Sequence, residues 1–210
     1  KLAGGKNSAV YRIDCGPSEM YVAKFYFRHR RDQRDRVSQE YSVLQFLWQN
    51  GLRCIPQPFW LDTQQQCGIY EWIPSMPLTQ GSLRKQEVDQ ASQFSLALKR
   101  LASLPAAKQL LDASEACFSI EAVQKTVEFR INRLSELDHP DTEMATFLTG
   151  QLQPAFRELV HWAVDECSAN HITWGQDLPQ SQRTISPSDF GFHNALLRQT
   201  GQVIFLDFEY

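Results

Sequence analysis

Close to the end of the chain four apolar residues, Val203-Ile204-Phe205-Leu206, lead directly into Asp207. A short apolar run of this kind reads as a buried strand. A carboxylate at its end is costly unless it is paired or holds a metal ion. Just upstream, residues 195–198 form a second strand-like segment, and Thr200-Gly201 supplies a turn between the two. The fold must therefore carry a late hairpin that delivers an acidic group to the end of a buried strand. An aspartate that merely caps a strand end satisfies the same pattern, so the remainder of the chain has to discriminate.

The first third is strand-like. Residues 9–14 and 20–27 are rich in β-branched and aromatic side chains, with Gly16-Pro17-Ser18 as the turn between them. Over 36–49 the period changes: Val37, Tyr41, Leu44 and Trp48 share one helical face, and Gly51 follows as a stop. Two further strands are expected at 59–62 and 67–73, divided by Thr63-Gln64-Gln65-Gln66, before Pro74 and Pro77 end the pattern. Residues 83–183 are mostly helical. Phe94, Ala97, Leu98 and Leu101 make one apolar stripe, and Val123, Val127, Ile131 and Leu134 a second. Leu159, Val160, Ala163 and Val164 make a third, in a helix opening at Pro154. No internal repeat is visible. The expected class is α+β, with a β-rich lobe over 1–74 and a mainly helical lobe over 75–210.

Hydrophobic residues make up 42% of the 210 and charged residues 21%, which suits a globular domain and excludes a disordered or collagen-like chain. No apolar stretch approaches the length of a membrane span. A net charge of −3 makes neither nucleic acid nor an anionic membrane the default partner. The five cysteines are scattered, odd in number and without a C-x-x-C pair, which reads as reduced thiols and a cytoplasmic setting. No targeting signal is visible at Lys1, and a further C-terminal segment is expected beyond Tyr210.

Four features bear on chemistry. Gly4-Gly5-Lys6-Asn7-Ser8 precedes the first long strand and reads equally as an ordinary hairpin turn or as a loop whose backbone amides approach an anion. It is not a Walker A loop. Lys24 lies inside the apolar strand Val22-Ala23-Lys24-Phe25, where it either snorkels from an edge or points inward. Glu40, in the next helix beside Tyr41, is either a surface charge or the partner of an inward Lys24, the arrangement that holds nucleotide phosphates in kinase-type sites. The third feature is Asp189-Phe190-Gly191-Phe192-His193-Asn194, where a carboxylate and an amide share one loop ahead of a strand. Phosphoryl transfer to a hydroxyl needs a carboxylate to orient the alcohol and an oxygen ligand for magnesium nearby, and the D-x-x-x-x-N spacing supplies both. The fourth is Asp207, one hairpin further on, read as the main magnesium ligand, with Glu209 as a second-metal or water-mediated contact.

Taken together and in this order, these features resemble the aminoglycoside phosphotransferase and choline kinase branch of the protein-kinase-like superfamily, over essentially the whole chain. Residues 2–12 are similar to the nucleotide loop of that branch. Ile73-Pro74-Ser75 with Pro77-Leu78, and Leu206-Asp207-Phe208-Glu209-Tyr210, resemble choline and ethanolamine kinases. The resemblance implies a protein-kinase-like two-lobe fold and an ATP- and Mg²⁺-dependent transfer to the hydroxyl of a small molecule of aminoglycoside, amino alcohol or sugar type. It implies Asp189 as catalytic base, with Asn194 and Asp207 on magnesium. The backbone of Gly4, Gly5, Asn7 and Ser8 would hold the phosphates together with Lys24, which Glu40 orients. Tyr70-Glu71-Trp72-Ile73 would be the hinge, with Glu71 and Ile73 offering backbone to adenine.

One position departs from the pattern. Members of the branch usually carry histidine two residues before the catalytic aspartate, where this chain has Pro187. That departure is the main support for the alternative of a kinase-like pseudoenzyme that binds nucleotide or a partner. Protein kinase activity fits less well, because no Ala-Pro-Glu motif is present. The basic run Arg28, Arg30, Arg31, Arg34 and Arg36 is interrupted by Asp32 and Asp35 and reads as a solvated connection rather than an RNA patch. His193 reads as a group that packs or hydrogen-bonds to fix the loop, and His29, His139, His161 and His171 have no chemical company in the sequence.

Overall fold

The structure is a computed structural model and describes residues 1–4, 7–16, 19–28, 34–78, 83–137, 142–187 and 189–209. Gly5 and Lys6, the Pro17-Ser18 turn, His29, Arg30, Arg31, Asp32, His139, Ser188 and Tyr210 lie outside the described residues. The chain forms two compact units, Lys1–Glu115 with Arg183–Tyr210, and Ala116–Gln182.

The first unit contains two antiparallel sheets. Strands β1 (Ala3–Gly4), β2 (Ser8–Gly16), β3 (Glu19–Tyr26), β4 (Pro58–Asp62) and β5 (Cys67–Glu71) make a five-stranded sheet in the order β1-β2-β3-β5-β4. Strands β6 (Ser75–Pro77), β7 (Ala195–Arg198) and β8 (Val203–Phe205) make a three-stranded sheet in that order. Register places Lys24 opposite Val10 on one side and Gly68 on the other. Helix α1 (Arg36–Gln49) begins at Asp35, whose carboxylate accepts from the Ser38 amide at 3.2 Å. Helix α2 (Lys85–Ala102) follows, with Phe94, Leu98 and Leu101 buried as its stripe requires.

These elements share one core, in which Leu44 and Leu47 of α1 and Ile55 meet Phe94 and Leu98 of α2 and Val203, Phe205 and Phe208. Phe94 stacks on Phe205 with ring centroids 4.2 Å apart, and Phe208 meets it edge-on at 6.3 Å. The late hairpin is thus anchored by the aromatic residues on either side of Asp207. It is also clamped by a side-chain amide: Gln90 of α2 donates to the Gly201 carbonyl at 2.9 Å and accepts from the Val203 amide at 2.8 Å. Gln90→Leu leaves the amide of buried Val203 without that acceptor, a loss of about 1–3 kcal/mol. We expect a lower urea midpoint with an unchanged slope.

The second unit consists of α3 (Ile120–Ser135), α4 (Thr142–Phe147), a π-helical turn (Leu148–Leu152) and α5 (Gln153–Ala169). Helix α5 carries Pro154 in its first turn, as expected. The apolar stripes behave otherwise than the periodicity suggests. On α3 only Ile131 is buried while Val123 and Leu134 are exposed, and on α5 Leu159 and Val164 are exposed. A unit this small has too little interior to cover every stripe. No described helix is long and apolar enough to cross a membrane.

None of the five cysteines is in a disulfide among the described residues. Burial pushes the Cys54 thiol up to about 11, whereas Cys15 is exposed. Iodoacetamide at about pH 8 is expected to label Cys15 well before Cys54, because the thiolate is the nucleophile. Peptide mass spectrometry over a time course reads the order.

Candidate active site

Lys24 does not snorkel. Strand period places it on the same sheet face as Val22 and Tyr26, and its side chain is only 13% exposed. Its ammonium donates to Glu40 Oε2 at 2.7 Å and to Asp207 Oδ1 at 3.0 Å. A third carboxylate oxygen, Glu209 Oε2, stands 3.0 Å away as a charge contact without hydrogen-bonding alignment. Burial alone would favour the neutral amine. Glu40, Asp207 and Glu209 reverse that and hold the Lys24 pKa above the ordinary lysine value.

Glu40 is likewise no surface charge: it is buried on α1, facing β3. Burial pushes its pKa up, and Lys24 and the Tyr26 hydroxyl pull it back by stabilising the anion. Tyr26 donates to Glu40 Oε2 at 2.5 Å, and its oxygen lies 2.9 Å from the Tyr70 hydroxyl. Both tyrosines are buried, and burial raises both pKa values, with Glu40 adding to the effect. Gly68, opposite Lys24, makes room for this arrangement, since a Cβ there would run into the Tyr70 hydroxyl.

Asp207 follows β8 with a φ of +68°, one of the few non-glycine residues in the left-handed region. The Leu206 amide donates to the Asn194 carbonyl at 2.9 Å, tying the segment that leaves β8 to the end of the 189–194 loop. Glu209 is buried, accepts from Asn7 Nδ2 at 3.2 Å and has Arg36 Nε at 3.9 Å. Asn7, just ahead of β2, and Glu209, beyond the end of β8, are thereby joined.

These groups line one cavity of about 770 Å³. Its lining includes Asn7, Ser8, Lys24, Glu40, Asp207 and Glu209 as well as Glu71, Trp72 and Ile73, with Val10, Val22 and Leu196 among its apolar walls. Glu71 is fixed at 2.5 Å by Arg198 of β7, and its other oxygen accepts from the Gln57 amide. Asn194 also lines the cavity. Asp189 lies on the same loop and is mostly exposed, with Asn194 Nδ2 at 3.4 Å from Oδ2 and His193 Nε2 at 3.1 Å from Oδ1.

Of the residues singled out from the sequence, Lys24, Glu40, Asp207 and Glu209 converge, and Asn7, Ser8, Glu71, Ile73 and Asn194 line the same cavity. Gly4 pairs with Ala9 in a hairpin leading to Ser8, and Gly5 lies outside the described residues. The sequence pointed to Tyr70 only as part of the hinge, and to neither Tyr26 nor Arg198. Tyr26 had a signal, standing one strand period beyond Lys24 on the same face; Arg198 had none.

Three carboxylates, Glu40, Asp207 and Glu209, bring oxygens within 4.8 Å of one another. With Lys24 among them, and Arg36 beside Glu209, the cluster remains negative. Hard oxygen donors in net negative surroundings suit a divalent cation such as Mg²⁺.

The fold is α+β and protein-kinase-like, with the Lys24, Glu40, Asp207 and Glu209 side chains lining its cavity. The spectinomycin phosphotransferase APH(9)-Ia, solved with ADP and spectinomycin, superposes with a TM-score of 0.60 at 17% identity, covering 99% of this chain and 62% of that one. The choline kinase LicA from Streptococcus pneumoniae gives 0.60 at 17% identity over 100% of this chain and 62% of its own. The chain thus spans about three-fifths of the length of these structures. No curated protein matches it. The profile of the phosphotransferase enzyme family, APH, matches residues 1–210, and the chain belongs to that family.

Proposed function

We propose that this chain transfers the γ-phosphoryl group of ATP to a hydroxyl of a small molecule of aminoglycoside, amino alcohol or sugar type. The observation that carries this reading is the convergence of Lys24, Asp207 and Glu209 on a cavity that also holds Asn194 and the 71–73 segment. Belonging to the phosphotransferase enzyme family supports it. So do the choline kinase and the spectinomycin phosphotransferase, the latter solved with ADP and with AMP.

In this reading the backbone of Glu71 and Ile73 takes adenine. Lys24, held by Glu40, neutralises phosphate charge, and the backbone of Gly4, Asn7 and Ser8, with Gly5 as the sequence pattern adds it, would hold the phosphates beside it. Asp207 and Asn194, with Glu209 as a further contact, would hold Mg²⁺. Asn194 donates through Nδ2 to Asp189, which leaves its Oδ1 for that purpose. Held by those residues, Mg²⁺ would supply neutralisation of the charge that develops on the transferring phosphate. Asp189 orients the alcohol and accepts its proton, and alignment supplies most of the rate.

A thermal-shift titration tests the nucleotide half. ATP at about a hundred times its dissociation constant adds roughly 2.7 kcal/mol, which is several degrees in Tm for a chain of this size. We expect a shift that requires Mg²⁺ in the wild type and is lost in Asp207→Ala. An equal shift in the variant, or none in the wild type, overturns the assignment. Choline, ethanolamine, spectinomycin and an aminoglycoside then serve as acceptor probes with radiolabelled ATP.

A further inference from the structure

We propose that His193 is a positioning residue for phosphoryl transfer, orienting the Asp189 carboxylate from across the loop; the proposal rests on the role given to Asp189 above. His193 Nε2 lies 3.1 Å from Asp189 Oδ1. Asn194 Nδ2 lies 3.4 Å from Oδ2 and 3.1 Å from the Asp189 carbonyl. Each oxygen of the carboxylate therefore faces a different side chain of its own loop. Asp189 and His193 are 64% and 62% exposed, so packing does not hold the carboxylate, and polar contacts must.

Gly191 is what makes the contact sterically open. A Cβ at that position would lie 2.6 Å from Nδ1 and Cε1 of the His193 ring. Its φ of −175° is extended backbone that any residue adopts, so the glycine answers to the imidazole rather than to the main chain. Pro187 offers no side-chain donor. It is buried, and its carbonyl accepts from the Asp189 amide, which shapes the loop without reaching the carboxylate. Among the described residues, His193 is the imidazole that reaches Asp189.

An exposed contact of this kind adds little to stability. A misaligned catalytic group, by contrast, costs rate steeply, up to about a hundredfold for a displacement near 1 Å. His193→Ala is therefore expected to lower kcat roughly ten- to a hundredfold while the KM for ATP, the Mg·ADP thermal shift and Tm stay at wild-type values. His193→Gln, which keeps a side-chain N–H donor, should recover part of the loss. Gly191→Ala should reproduce it by displacing the ring, and the double variant Gly191→Ala/His193→Ala should be no slower than His193→Ala alone. Wild-type kcat in His193→Ala, or losses that multiply in the double variant, overturns the proposal. Asp189→Asn run alongside separates the two levels. If it keeps full turnover, the role of Asp189 fails. If it is inactive while His193→Ala is unimpaired, only the positioning role fails. A readout free of turnover is the long-range ¹H–¹⁵N spectrum of histidine-labelled protein. There His193 should carry its proton on Nε2 and shift on Asp189→Asn, and an unprotonated, unshifted Nε2 overturns the contact itself.

Discussion

Asp189→Asn is expected to lower phosphoryl transfer by about 10²–10⁴, the range of a positioned general base, with the Mg·ATP thermal shift nearly intact. The amide is isosteric with the carboxylate and can keep the neighbours in place, so the loop should persist. It cannot take the proton of the acceptor alcohol. Asp189 stands outside the Lys24–Glu40–Asp207–Glu209 cluster, and nucleotide binding should therefore survive its loss. The comparison that checks this is kcat against the ATP-dependent Tm shift, measured on the same preparation. Retained turnover would remove Asp189 from the reaction. A lost thermal shift would mean that the loop, and with it Asn194, had been disordered.

The second large effect is structural. Phe94→Ala should cost about 3–5 kcal/mol, a substantial share of the roughly 5–15 kcal/mol that holds a domain together. The ring is 2% exposed and stacks on Phe205, meets Phe208 edge-on, and has Phe190 at 5.8 Å. Two of those partners lie next in sequence to site residues: Phe190 follows Asp189 and Phe208 follows Asp207. The cavity left by the ring would thus loosen both loops at once. We expect a Tm lower by roughly 10 °C, from about 2–4 °C per kcal/mol at this size, and a weakened Mg·ATP response. Phe94→Leu, which refills most of the space, should lose less of both. Equal losses in the two variants would argue against a cavity effect.

Helix α1 was legible in the sequence almost to the residue, because Val37, Tyr41, Leu44 and Trp48 mark one face and Gly51 follows it closely. Strands β2 to β5 were legible from β-branched and aromatic runs, and the late hairpin from Thr200-Gly201, whereas the two-residue β1 has no such run. Strand β6 was not, because a three-residue strand between two prolines has no period to detect. For the site, an inward Lys24 and a buried Glu40 were among the open readings, since a lysine in an apolar strand must find a partner or reach solvent. What closes that choice is tertiary: Asp207 and Glu209 arrive from the far end of the chain. The Tyr26–Tyr70 contact and the Arg198–Glu71 pair join residues whose spacing carries no signal: the first needs β3 beside β5, and the second joins a residue of one sheet to a residue of the other.

The left-handed backbone at Asp207 sets a limit on how this protein can be improved. A side chain there carries a conformational cost that glycine alone would relieve, and glycine has no carboxylate to offer Lys24. Selection for thermal robustness and selection for charge delivery therefore pull this codon in opposite directions. A stability screen blind to activity would be drawn toward glycine at 207, and in doing so would discard the carboxylate that accepts from Lys24.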